Sequence, residues 1–149
     1  MSESPKKKKL SSRTRSRRLA MQALYQWLLS GDVSVNDIET QFVEDQEMQS
    51  ANQDYFSELF NGVIDNHGEL AGLLSSHVSR PLEEIDPVER AVLFIAAYEL
   101  KYVLSVPYRA VINEAIELTK VYGAEAAHKF INGVLDKMAD ELRSVEKSA

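Results

Sequence analysis

The sequence predicts an all-α protein, and three observations carry that prediction. Four prolines and six glycines in 149 residues leave long uninterrupted stretches. Within those stretches apolar residues recur at intervals of three and four, the period of a helix with one buried face. Alternating β-branched runs, the mark of strands, are scarce. An apolar content of 44% is enough to bury a real core, as one domain or as two small subdomains packed together.

About seven helices follow in order. Met1 to Leu10 is polar, lysine-rich and interrupted by Pro5, so residues 1–10 are predicted to form a disordered basic arm. Ser11 or Ser12 can cap the first helix. Its apolar face carries Ala20, Ala23, Leu24, Trp27 and Leu28, and Arg13 and Arg17, four apart, stack on another face. Gly31 ends it. A second helix is predicted from about Val35 to Gln46, with Ile38, Phe42 and Val43 buried. A third begins at Asn52 or Asp54, either a plausible cap, and carries Tyr55, Phe56, Leu59, Phe60, Val63 and Ile64. A shorter fourth covers roughly Glu69 to Val78.

The second half is punctuated more clearly. Asp86-Pro87 supplies a capping carboxylate and a proline at the first helical position, and the run Ala91 to Tyr98 then reads as a central helix buried on most sides. Pro107 opens the next helix, with Val111, Ala115, Leu118 and Tyr122 on one face, and Gly123 is predicted to close it in the left-handed conformation glycine tolerates. The last helix bears Phe130, Ile131, Val134, Leu135, Met138 and Leu142. Asn61-Gly62-Val63-Ile64-Asp65 and Asn132-Gly133-Val134-Leu135-Asp136 are near copies. Glycine at a close helix crossing is the favoured explanation, over a duplicated subdomain.

Charge is segregated along the chain. Residues 1–18 hold Lys6 to Lys9, Arg13, Arg15, Arg17 and Arg18 against Glu3, a balance of +7, whereas residues 19–149 hold nine basic side chains against 22 acidic ones. Positive charge concentrated at one end of a body that repels polyanions elsewhere is the footprint of docking on a nucleic acid. A solubilising tail explains the run equally well. Tyr25 adds to the first reading, because guanidinium groups fork onto phosphates and stack on unpaired bases while a tyrosine offers a base a flat face. The same tyrosine neighbours Leu24 and Trp27 and fits a core position as well.

Covalent chemistry finds little support. The sequence has no glycine-rich phosphate loop, no HExxH, no nucleophile elbow and no cysteine. Absence of cysteine also fits a reducing, cytoplasmic setting. The longest apolar run, Ala91 to Tyr98, is far short of the ~20 residues a bilayer span requires. Glu125 and His128 have the i, i+3 spacing of di-iron bundles, but the second such pair is missing, so no metal and no cofactor are expected. Glu99, inside an apolar helix, must have a partner; the Lys101 region or a helix N-terminus is the expected one.

Three stretches resemble the NusB family of bacterial antitermination factors. RTRSRRLAMQALYQW is similar to the family's arginine-rich first helix, IDPVERAVLFIAAYEL to its central helix, and VPYRAVINEAIELTKVYGAEAAHKFINGVLDKMA to its C-terminal signature. The match runs from about Arg13 to Leu142. It implies two packed helical subdomains, roughly 11–79 and 80–149, and a non-enzymatic role. That role is binding the boxA element of nascent ribosomal and phage RNA together with NusE, a small-subunit ribosomal protein, in the antitermination complex of RNA polymerase. The resemblance carries RNA-binding roles to Arg13, Arg15, Arg17 and Tyr25, with Arg18 in the same cluster, and to the C-terminal aromatics Tyr122 and Phe130. Lys129, close to both, completes the predicted contact surface. It also points to Glu83, Glu84 and Glu89 for the NusE surface. Ala126 and Ala127 stand where many relatives have acidic or hydroxyl residues, so a side-chain contact there is lost. Lys6 to Lys9 lie outside the motif.

Two other classes compete with an RNA-binding adaptor. One is a helical protein-interaction module whose basic tail is incidental. The other is a domain related to those preceding RNA cytosine methyltransferases, which would need a further α/β domain with a glycine-rich cofactor loop; none is legible in these residues. The helical patterns are satisfied equally by a monomer and by a homodimer whose apolar interface hides the RNA surface.

Overall fold

The computed structural model describes residues 10–149; the predicted basic arm, Lys6 to Lys9 included, lies outside the described residues. The helices are α1 (Ser12–Ser30), α2 (Val35–Val43), α3 (Gln53–Asp65), α4 (His67–Ser75), α5 (Pro87–Tyr102), α6 (Tyr108–Tyr122), α7 (Ala127–Leu142) and the short α8 (Ser144–Lys147), with 3-10 turns at Gln46–Ser50 and Leu82–Glu84. No strand occurs among the described residues, so the fold is all-α.

Helix starts follow the predicted caps. The Ser11 hydroxyl accepts from the Thr14 N–H at 3.0 Å, Asn52 Oδ1 from the Tyr55 N–H at 3.0 Å, and Asp86 Oδ1 from the Val88 N–H at 2.9 Å. Each satisfies one of the donors that a helix N-terminus leaves without an intrahelical partner. Helix ends hold the surprises. α2 stops at Val43, short of the predicted Gln46, because Asp45 accepts from the Glu47 N–H at 2.8 Å and starts a separate 3-10 turn. α4 occupies 67–75 where 69–78 was predicted. Gly31 ends α1 at φ 63°, the conformation that favours glycine. Gly123 is not left-handed: φ is −94° and ψ 179°. Its requirement is steric, since a Cβ there would stand 2.8 Å from the Thr119 carbonyl oxygen. The left-handed residue in this connection is Ala126, at φ 67°.

α5 is the hub. Its residues from Ala91 to Leu100 are all buried, and α1, α3 and α4 pack on it together with α6 and α7. The apolar core is one cluster drawing on every helix from α1 to α7. Within it Phe42, Phe56 and Phe60 form a stack with centroids 6.0 Å apart at each step, the offset spacing aromatic rings favour. The echoed pentapeptides differ in role. A Cβ at Gly62 would penetrate the Tyr98 ring, so α3 meets α5 there through bare backbone, whereas Gly133 has open space. The predicted crossing role thus applies to Gly62 and is corrected at Gly133.

Candidate nucleic-acid interface

α1 buries Leu19, Ala20, Ala23 and Leu24 and leaves its charged positions to find partners at the rim. α6 runs beside it in the same direction: the Thr14 hydroxyl donates to Glu114 at 2.8 Å and the Gln22 amide to the Tyr122 hydroxyl at 3.3 Å. The arginines of α1 meet different fates. Arg13 is exposed, with its guanidinium 4.3 Å from the centroid of the Tyr55 ring. Arg15 and Arg18 are half-buried at the edge facing Tyr122.

Arg17 corrects the sequence reading. It is only 5% exposed, its Nε donates to Glu99 Oε1 at 2.9 Å and its Nη2 to Glu99 Oε2 at 2.8 Å. Glu114 stands 3.6 Å from Nη1, and the Tyr55 hydroxyl donates to the same Glu99 carboxylate. Burial opposes the charge on Arg17, yet the hydrogen bonds and negative charge of Glu99 hold its pKa above the ordinary value. Burial, then the charge of Glu99, pushes the Tyr55 phenol up. The guanidinium predicted to contact RNA is therefore committed to an interior fork on a carboxylate. Glu99 in turn finds its partner in Arg17, 82 positions earlier, and not near Lys101.

Tyr25, open between core and surface in the sequence, is 36% exposed on α1, and Tyr122 39% at the end of α6. Arg15, Arg18 and Tyr122 come together with Leu10, Leu19 and Glu47 around a gap of about 170 Å³. Arg18 also borders a larger cleft of about 600 Å³ between the start of α1 and α6, where Thr14, Asn113 and Glu117 stand. Glu47 and Asn113 carried no signal in the sequence beyond being polar.

The other predicted residues lie elsewhere. Phe130 is half-buried against the core, with the Arg80 guanidinium 5.8 Å from its ring centroid; neighbouring Lys129 is exposed. Glu83 and Glu84 are exposed on the Leu82–Glu84 turn. Glu89 is only 7% exposed. Burial, then the nearby Asp86 charge, raises its pKa, with Arg80 opposing. Glu89 is thus buried, unlike the exposed Glu83 and Glu84 with which it was grouped for the NusE surface. No group of three or more metal-ligating side chains occurs among the described residues, and none of their helices is long and apolar enough to cross a membrane.

The molecule is thus an all-α protein with arginines and tyrosines along the edge where α1 runs beside α6. The NusB family model matches residues 14–140, and the chain belongs to the NusB family. It is 46% identical over 142 residues to the transcription antitermination protein NusB of Haemophilus influenzae, covering 95% of this chain and 98% of that one. It is 49% identical over 135 residues to the protein of that name from Photorhabdus laumondii, covering 91% and 97%. Among solved structures it resembles T. maritima NusB, with a TM-score of 0.77, 30% identity and coverage of 89% and 94%. A second resemblance is to a crystal structure of antitermination factors NusB and NusE in complex with dsRNA, with a TM-score of 0.75, 25% identity and coverage of 86% and 96%.

Proposed function

We propose that this protein is a transcription antitermination factor that binds boxA RNA of nascent ribosomal transcripts jointly with NusE, in the cytoplasm, without performing a covalent step. The observation that carries the reading is the similarity, over most of the chain, to a NusB assembled with NusE and RNA. The physical support is the α1 edge. Arg13, Arg15 and Arg18 neutralise phosphates there, Tyr25 and Tyr122 offer stacking faces, and the acidic remainder keeps RNA off the wrong side. Lys129 and the Phe130 ring with Arg80 extend the contact, and Glu83 and Glu84 form an edge for NusE. Arg17 contributes indirectly, by fixing α1. Joint binding of two partners raises the affinity for each without any new contact.

The test is a titration of boxA and scrambled RNA with the full chain, with and without NusE. Preference for boxA that grows on adding NusE supports the reading. Equal binding of both RNAs, unaffected by NusE, overturns it and leaves a helical interaction module.

A further inference from the structure

The gap of about 170 Å³ beside α1 has walls of both charge signs that do not close on each other. Among the described residues neither Arg15 nor Arg18 makes an ion pair, and the Glu47 carboxylate makes no hydrogen bond or ion pair. Both charge signs therefore stand on the walls of one gap without neutralising each other, and each is carried by an anchored backbone. Arg15 and Arg18 are set by α1, which Arg17 and Ser16 anchor: the Ser16 hydroxyl donates to the Asn52 carbonyl at 2.6 Å and accepts from the Asn52 N–H at 2.9 Å. Glu47 is set by the 3-10 turn that packs on α1. Asp45 holds its N–H, the Ser50 hydroxyl donates to its carbonyl at 3.2 Å, and the next residue, Met48, is buried in the core. The remaining walls are the ring of Tyr122 and the side chains of Leu10 and Leu19.

An unpaired nucleotide has the chemistry such a gap lacks. It presents an anionic phosphate to the arginines, a flat face to the tyrosine and the leucines, and hydrogen-bond donors on its base edge. Only the last of these suits Glu47, because an ionised carboxylate is acceptor-only. Adenine, cytosine and guanine each carry an exocyclic amino group that a carboxylate can accept from. Uracil offers a single N–H flanked by two carbonyl oxygens, which a carboxylate repels. We infer that this gap holds one unpaired base bearing an exocyclic amino group, and that Glu47 determines the specificity there by accepting from that group. The inference rests on the α1 edge being the RNA surface, and adds to it a residue that selects where the arginines only attract. Glu47 lies outside the three stretches whose resemblance indicated RNA binding.

The experiment measures affinity of the full chain for a boxA panel in which each position in turn carries adenine, cytosine, guanine or uracil, at several salt concentrations. The expected result is one position at which a base with an exocyclic amino group, adenine, cytosine or guanine, is favoured over uracil by about tenfold, the discrimination a single good base-edge contact supplies. Glu47→Ala removes that ratio and leaves the salt slope unchanged, whereas Arg15→Ala weakens every RNA alike and lowers the slope by about 0.7. If Glu47→Ala leaves the discrimination at every position intact while Arg15→Ala acts as stated, the inference fails and the RNA surface stands. If Arg15→Ala, Arg18→Ala and Tyr122→Ala all bind as the parent does, the RNA surface itself is misplaced and the inference fails with it. Glu47 is exposed, so the thermal melt of Glu47→Ala should coincide with the parent's.

Discussion

Arg13 and Arg17 are the same residue type one turn apart on α1, and their surroundings give them opposite functions. Arg13 lies over the Tyr55 ring with its charge in solvent. Arg17 forks onto a carboxylate that is 1% exposed. Removing one partner of a buried pair strands the other charge, so Arg17→Ala should cost about 3–5 kcal/mol in urea denaturation. Arg17→Met combined with Glu99→Leu should recover most of it, because an apolar pair has no stranded charge. Arg13→Ala should change stability by well under half as much, and instead lower the salt slope of RNA binding by about 0.7. A normal melting curve for Arg17→Ala, with RNA binding lost, would return Arg17 to the RNA surface. The sequence placed the two arginines on one face correctly, by their spacing. It could not say that Glu99 takes the second of them, since no local pattern reports a partner 82 residues away. Glu99 itself was legible as a charge needing a partner, because it sits in an apolar helix.

At the scale of elements, the helix starts set by side-chain caps were legible, whereas the ends of α2 and α6 were not. Ser11, Asn52 and Asp86 each accept from an N–H two or three residues on, which spacing alone can forecast. Gly123 was read as a left-handed cap, yet it is extended and needed for clearance from Thr119; only the folded turn reveals that. The two echoed glycines provide a matched test of the same distinction. Gly62→Ala forces a methyl group into the buried Tyr98 ring and should destabilise by about 1–3 kcal/mol. Gly133→Ala meets nothing and removes the entropy cost of a mid-helix glycine, so it should stabilise by about 0.5–1 kcal/mol. Chemical denaturation of the two variants side by side checks this, and equal effects would mean that the α3 and α7 glycines play one role after all.

At the scale of the molecule, the question is whether residues 11–79 and 80–149 are subdomains in the sense of folding units. The end of α5 is gripped from both halves. Arg17, from the first, takes the Glu99 carboxylate. Arg143, from the second, donates through Nε to the Leu100 carbonyl at 2.7 Å and through Nη2 to those of Glu99 and Val103 at 3.1 Å each. The Leu100 carbonyl is one that the C-terminus of α5 leaves without an intrahelical donor, whereas those of Glu99 and Val103 also accept from the Val103 and Val106 N–H groups. A fragment of residues 80–149 keeps the Arg143 cap but loses Arg17, exposing the faces of α5 that α1, α3 and α4 cover and leaving Glu99 without its counter-charge. We therefore propose subdomains of architecture that share one core and do not fold apart. The full chain should unfold in a single transition, with near- and far-ultraviolet circular dichroism coincident and the calorimetric enthalpy equal to the van't Hoff value. The 80–149 fragment should lack a cooperative melt. Two resolved transitions in the full chain, or a cooperative melt of the fragment, would show instead that α5 belongs to the second half alone and that the Arg17–Glu99 contact is a docking contact between independent units.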